Sequence, residues 1–392
     1  MNAPELQALV GRVQRNCHIA DARHAAELTL CTYLLQMREF FRWEQGLALG
    51  LSLPREAVGA WMAEREALWE GLVDEDYAPV ALPGVAGGTA DPFDVEAVNA
   101  ALAPHALLYG AGLVARDRPV FFLADLHDRA ERGGLAVLQA GRERARTLLA
   151  PPAALGGGGA GPIVLRRESM ARWAWERTEA FAMRPQPGGA LHAMLAHYGL
   201  GRDFQAGLPQ WLDDQCETAV WHELGEHRLS RRWGAGWIEL RATRPASAQG
   251  EAAAQAGIEA AEPAPASAAQ ALRADALVRA LRDQLADLDI TLPALLAQGN
   301  PGPVHAWFAG YEGLREALFP GLVAGYVAWR NGDGGKLLRE QSTHGVRHFE
   351  ALVSSLLEGP AQARDAARAR LMPPLGKGLP GPVVCQWPPG AG

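Results

Sequence analysis

Lysine is nearly absent from this sequence: of 37 lysine and arginine residues, only Lys336 and Lys377 are lysines. With 44 glycines and 27 prolines alongside, this reads as a GC-rich coding bias. Arginine abundance alone is therefore no pointer to phosphate recognition. Cysteine is equally scarce. Cys17, Cys31, Cys216 and Cys385 form no CxxC pair and are too sparse for a disulfide framework, which fits reduced thiols in a cytoplasm. No stretch of about 18 uninterrupted apolar residues occurs; the nearest approach, Ala317 to Trp329, is broken by Pro320 and glycines. A membrane span is not expected. The opening MNAPELQALVGRVQRN lacks the basic segment and apolar run of a secretory signal. A net charge of −7 leaves no general basic field for nucleic acid or anionic lipid. There is no GxSxG elbow. The run GGGGAGP (156–162) has no Lys-Ser or Lys-Thr after it and fails as a phosphate loop.

What the 392 residues do contain is 48% hydrophobic residues, enough for a sizeable core and for about two or three domains. Helical apolar spacing predicts helices over Leu6 to Cys17, Asp21 to Trp43 and Arg55 to Leu72, and a short one over Phe93 to Leu102 with Asp91 as N-cap. Residues 76–92 read as turns. The pattern then changes to short alternating runs at Ala106 to Val114, Pro119 to Asp125 and Leu135 to Gln139, predicting a small three-stranded antiparallel β-meander within 106–139. A helix is expected near Arg142 to Leu149, and more at Arg167 to Met183, Ala190 to Tyr198 and Pro209 to Arg232. Residues 243–268, almost without large apolar side chains, read as a flexible linker. Beyond them Leu272 to Leu288, Leu292 to Gln298, Val304 to Val327 with a break near Pro320, and Lys336 to Leu357 form a C-terminal helical block, and 372–392 a mobile tail. The fold class expected is mainly α. The expected divisions are 1–103, 104–150, 163–242 and 269–371.

The chemistry concentrates in WHELGEHR (221–228). On a helix His222 and Glu226 lie one turn apart with Glu223 at their edge, so three potential ligands share a face. The run resembles the zinc-protease motif HExxH, in which two histidines hold zinc and the glutamate activates water. Here the pattern is HExxE: Glu226 stands where the second histidine would be, and His227 follows it. Two arrangements remain open. In one, His222 and Glu226 are ligands and Glu223 the base; in the other, His222 and His227 are ligands across a five-residue spacing, as in one dipeptidyl-peptidase family. The second needs a distorted helix, because positions five apart point about 140° away from each other. A carboxylate-rich set would suit iron or manganese as well as zinc. The competing reading is structural: Glu223 and His227 are an ordinary i,i+4 pair, and Arg228, Arg231 and Arg232 complement the helix dipole.

Further ligands are sought in CHIADARHAAELTLCTYLLQMREFFRWE (17–44), where His24, Glu27, Cys31, Arg38 and Arg42 fall in one helical sector. His24 or Glu27 would complete a metal shell; otherwise the sector is a structural ion-pair face. The ExxH pairs of ferritin-like di-iron proteins are not present. Together with PVFFLADL (119–126) and HELGE (222–226), this run is similar to the signature segments of an uncharacterised proteobacterial protein family, over about the first 240 residues. That resemblance implies no activity.

Weaker signals are the pair His344 and His348 beside Glu350, the histidines His192 and His197, and the aromatics Trp173, Trp175 and Phe181, for which core packing is the simpler account. Two functions are carried forward: a metal-binding protein (zinc, iron or manganese) acting as a hydrolase, and a non-catalytic helical interaction or scaffold protein with a buried polar network. The partner is correspondingly a small-molecule substrate or another protein.

Overall fold

Asn2 opens the first helix, α1 (Ala3–His24), as one half of a capping box: its side chain accepts from Glu5 N, and the Glu5 carboxylate accepts from Asn2 N. Leu9, Val13, Cys17 and Ala20 recur at helical spacing along α1 and are buried against the sheet described below. The expected helix over Asp21 to Trp43 is in fact broken: a 3-10 turn (Ala25–Glu27) ends α1, and Thr29 caps a new helix, α2 (Leu30–Glu44). A third, α3 (Arg55–Glu70), adds Trp61 and Trp69 to a core with Met37, Phe40, Phe41 and Leu148. The computed structural model describes residues 1–85, 87–114, 118–155, 161–234, 236, 237 and 268–357. The expected linker, apart from Ala268, and the expected tail lie outside the described residues.

Within residues 76–92, read as turns, β1 (Val80–Ala81) and β2 (Thr89–Ala90) pair antiparallel. Helix α4 (Val95–Leu102) starts later than expected, because Asp94 rather than Asp91 caps it; Asp91 instead accepts from Phe93 N. The main sheet is larger than the expected meander. Its order is β3 (Leu107–Val114), β4 (Arg118–Arg132), β5 (Leu135–Arg146), β7 (Ile163–Arg166), β6 (Ala153–Leu155). The first three strands run antiparallel, as expected, but β5 pairs parallel with β7, from Val137 opposite Ile163 to Ala140 opposite Arg166. The sheet is therefore five-stranded and mixed. Gly133 and Gly134, both with positive φ (56° and 80°), form the two-residue turn between β4 and β5. The helix expected over Arg142 to Leu149 does not form: β5 continues to Arg146. Its inward positions are held by the charged side chains of Glu143 and Arg146 as well as by Ala145, so no apolar alternation betrays the strand.

Helices α5 (Arg167–Met183), α6 (Ala190–Tyr198) and α7 (Phe204–Trp233) follow. Beyond them α8 (Ala268–Ala286) runs through a π-helical turn (Asp287–Thr291) into α9 (Leu292–Gln298) without the interruption that the sequence suggests. The expected Val304 to Val327 segment breaks twice rather than once, giving α10 (Pro301–Ala309), α11 (Leu314–Leu318) and α12 (Gly321–Arg330). The first break is at Gly313, whose φ of 64° suits glycine. The last helix is α13 (Lys336–Leu357). Helix is the prevailing structure.

Two compact units emerge. Among the described residues, one draws on 1–154, 162–185 and 198–216, the other on 186–197 and on those from 217 onward. The core of the second unit gathers Trp237, Leu281, Leu285, Leu292, Phe349 and Val353. Among the described residues no helix is long and apolar enough to cross a membrane.

Candidate metal centre

Helix α7 carries His222, Glu223 and Glu226 on neighbouring positions, and Gly225 decides what can face them. A Cβ on Gly225 would stand 2.8 Å from the carbonyl oxygen of Ala286 and 3.1 Å from its Cα. The last turn of α8 therefore lies against the backbone of α7 at this glycine. The approach sets the i,i+4 pair His222 and Glu226 of one helix against a second i,i+4 pair, Asp283 and Asp287, of the other.

His222, Glu226 and Asp283 each offer one ligand atom, and the three atoms lie within 4.8 Å of one another. Asp287 stands behind them. Its Oδ1 is 2.8 Å from His222 Nδ1, which leaves Nε2 as the nitrogen for a ligand role, and it also pairs with Arg315. A carboxylate that orients an imidazole in this way is a common support behind metal-bound histidines. Glu226 is buried, pairs through Oε2 with Arg282, and has a second oxygen, Oε1, that is buried without a hydrogen bond among the described residues. The π-helical turn that begins at Asp287 is a local distortion of a kind that recurs at functional sites.

The electrostatics follow from burial and from crowding of carboxylates. Burial pushes the His222 imidazole down, but Asp287, with Glu223 and Asp283, outweighs it and holds the group at about 10. Burial raises the Asp283 carboxyl above its usual range, reinforced by Glu226 and Asp287 and opposed by His222 and Arg315. For Asp287 burial is overcome by Arg315 and His222, which hold it at about 2. Without a metal the group is thus an imidazolium among carboxylates.

Of the residues singled out in the sequence, His222 and Glu226 belong to the three-residue group; Glu223 is buried beside them, one place along the helix. His227, half-buried, is not one of the three, in keeping with the angular offset of a five-residue spacing. His24 and Glu27 belong to the other unit. They pair with each other, Nδ1 to Oε1 at 2.9 Å, while Glu27 Oε2 accepts from Arg118 at 2.9 Å. Burial raises the Glu27 carboxyl, but the His24 and Arg118 contacts together outweigh it and hold it below its usual range. Arg38 and Arg42 pair with Glu39. Sequence reasoning missed Asp283 and Asp287. The signal was the DQLAD spacing at 283–287, two acids one turn apart inside an expected helix.

Trp173 and Trp175 are half-buried and pack on other aromatic rings, Trp173 stacked on Trp211 at 5.8 Å and Trp175 edge-on to Phe204 at 5.2 Å. Gly345, between His344 and His348, lies where a Cβ would meet Leu288 and Phe319 at 2.5 and 2.8 Å. That stretch of α13 is shaped by packing.

Residues 8–166 match the model of the Family of unknown function (DUF6866) N-terminal domain, and residues 171–256 and 248–376 match that of its C-terminal domain. The chain belongs to the DUF6866 family. Within it, His222, Glu226, Asp283 and Asp287 all fall in the C-terminal domain match, and His24 and Glu27 in the N-terminal one. The DUF6866 match extends well past the first 240 residues over which the sequence resemblance was drawn. No curated protein and no solved structure matches the chain.

Proposed function

We propose that this DUF6866 protein binds a divalent metal ion, zinc, iron or manganese, through His222, Glu226 and Asp283, and uses it in a hydrolytic reaction with Glu223 as base. The observation that supports the reading is the convergence of three ligand atoms within 4.8 Å from two helices, one of them from a buried carboxylate with a free oxygen. One imidazole and two carboxylates suit hard and borderline cations alike, which is why the reading keeps three metals. Such an ion makes bound water acidic enough to ionise near neutral pH. Glu223, buried one residue from His222, would take the proton.

The test is metal content of the purified wild-type protein beside a His222→Ala, Glu226→Ala double variant, both shown to be folded. Stoichiometric metal in the wild type and its loss from the folded variant supports the reading. No uptake by the wild type after incubation with zinc, iron(II) or manganese(II) sinks it.

A second reading has its own observation. Arg282 on Glu226 and Arg315 on Asp287 already neutralise two of the carboxylates. In a non-catalytic interaction protein this network would hold α7 to α8, and the protein as purified would be as stable in chelator as without it.

A further inference from the structure

The unit that holds the sheet contains a second concentration of buried charge, which the metal reading leaves unused. Glu143 and Arg146 on β5, Arg166 at the end of β7 and Arg172 on α5 come together beside Phe40 and Trp43 of α2. Arg166 donates from Nε to Glu143 Oε1 at 2.7 Å. Arg146 is held far more loosely. Its Nη1 stands 3.7 Å from Glu143 Oε2, and its guanidinium carbon lies 5.7 and 5.4 Å from the ring centres of Phe40 and Trp43. Among the described residues its Nε and Nη2 find no hydrogen-bond partner, and neither does Nη2 of Arg166, although the two residues are only 2% and 4% exposed. Arg172 has one weak contact, Nη1 to the Leu148 carbonyl at 3.5 Å, and a loose approach to Glu176 at 3.7 Å.

Nearby arginines show what a satisfied one looks like in this protein. Arg42, as deeply buried, donates to Glu39 at 3.0 Å and to the carbonyls of Ala48 and Leu51 at 2.9 Å each. The charges tell the same story. Arg146 and Arg166 share Glu143 as their ion-pair partner among the described residues, and Arg172 approaches only Glu176 at the edge, with the buried carboxylates of Glu39 and Asp21 acting on the group from farther off. Glu168 accepts from Glu143 N at 3.1 Å, and burial together with the Glu143 charge pushes its carboxyl up to about 7, so it supplies only part of a negative charge at neutral pH. Burial and Arg172 push Arg146 down to about 9, which still leaves it a cation there.

We propose that Arg146, Arg166 and Arg172 form a binding site for a small oxyanion, a phosphate or carboxylate group, received by the unpaired N–H groups of the guanidinium forks. Planar guanidinium groups bind both oxyanions in two-pronged fashion, and stacking on aromatic faces leaves their edges free to do so. The cluster reaches the surface, since the side chains of Arg172 and Glu176 are 12% and 31% exposed.

The experiment is thermal unfolding of the full chain in phosphate, sulfate or acetate against chloride at matched ionic strength, for the wild type and for Arg172→Gln, Arg146→Met and Arg12→Gln. Arg172 sits at the edge of the cluster, so its variant stays folded even where Arg146→Met does not; Arg12 is an exposed charge on α1 and serves as the control. Expected is a melting point raised by at least one oxyanion beyond chloride, an apparent Kd weakened about tenfold by Arg172→Gln as one charge-assisted contact is lost, and an unchanged response in Arg12→Gln. Response to phosphate and sulfate identifies a tetrahedral oxyanion, response to acetate a carboxylate. Absence of any effect beyond chloride in the wild type overturns the proposal. So does a response that survives intact in Arg172→Gln.

Discussion

Gly225 sits inside the HELGE run but ligates nothing; what it provides is the absence of a Cβ. Alanine there gains helix propensity of up to about 1 kcal/mol. Against that, the new methyl would meet backbone atoms of Ala286 at 2.8 and 3.1 Å, which a rotamer change cannot relieve. Overpacking of this kind costs about 1 to 3 kcal/mol, so the clash wins. Gly225→Ala is expected to lower the urea midpoint and to weaken metal uptake by spreading the two i,i+4 pairs. Full stability in that variant would mean that α7 and α8 are not in this close contact. His18 supports a second expectation at this scale. It is buried between Trp69, whose Nε1 donates to Nδ1 at 3.3 Å, and Arg65, whose Nη1 is 3.0 Å from Nε2. Burial and the Arg65 charge push the imidazole down to about 3. Its folded pKa therefore lies below the unfolded value of about 6.5, the unfolded chain binds the extra proton, and stability falls as pH drops below about 6.5. The His18 share of that loss is about 2 kcal/mol at pH 5. Asp21 acts in the opposite sense: burial raises its carboxyl to about 8 despite the Leu148 N–H, so its contribution weakens as pH rises from about 4 toward 8. The His18 share is thus read as the difference between wild type and His18→Gln in denaturant unfolding at pH 7.5 and 5. An equal pH dependence in both would refute it.

At the scale of elements, several helices were legible from their apolar spacing alone. Arg167–Met183, Ala190–Tyr198, Leu292–Gln298 and Lys336–Leu357 have the bounds that apolar spacing alone gives. The failures have physical causes. Thr29 as an N-cap inside a continuous apolar pattern broke one expected helix in two. β5 was hidden because Glu143 and Arg146 occupy its inward positions, and those same residues build the arginine cluster. The candidate site was half legible. His222 and Glu226 announce themselves through helical spacing, whereas Asp283 and Asp287 sit some 60 residues later and meet them only through the close approach at Gly225. The π-helical turn is where this junction is most exposed to damage. Asp287 is 2% exposed and holds both His222 and Arg315. Removing one partner of a buried ion pair costs about 3 kcal/mol or more, and Arg315 is only partly exposed. Asp287→Ala is therefore expected to destabilise by about 2 to 3 kcal/mol in chemical unfolding. A loss of only a few tenths would show that the pair contributes little.

Across the whole molecule, two divisions of the same chain do not coincide. The two family domain models meet between residues 166 and 171, whereas the first compact unit also takes in residues 171–185 and 198–216, and α7 runs from one unit into the other. Both candidate sites nevertheless stay within single units: His222, Glu226 and Asp283 in the second, Arg146, Arg166 and Arg172 in the first. A ligand that binds only the folded state adds RT ln(1 + [L]/Kd) to stability, about 2.7 kcal/mol at a hundredfold excess over Kd. On the two proposals, metal and oxyanion each raise the resistance to unfolding through their own residues, and single substitutions separate them. Asp283→Asn should abolish the stabilisation by zinc or manganese and keep that by phosphate or acetate; Arg172→Gln should do the reverse. The crossed pattern, read by thermal unfolding with each ligand alone and with both, is one that a general loss of stability cannot produce, because a merely weakened fold would lower every midpoint and leave both increments in place. Loss of both increments in either variant would assign them to one shared cause and remove the case for two sites.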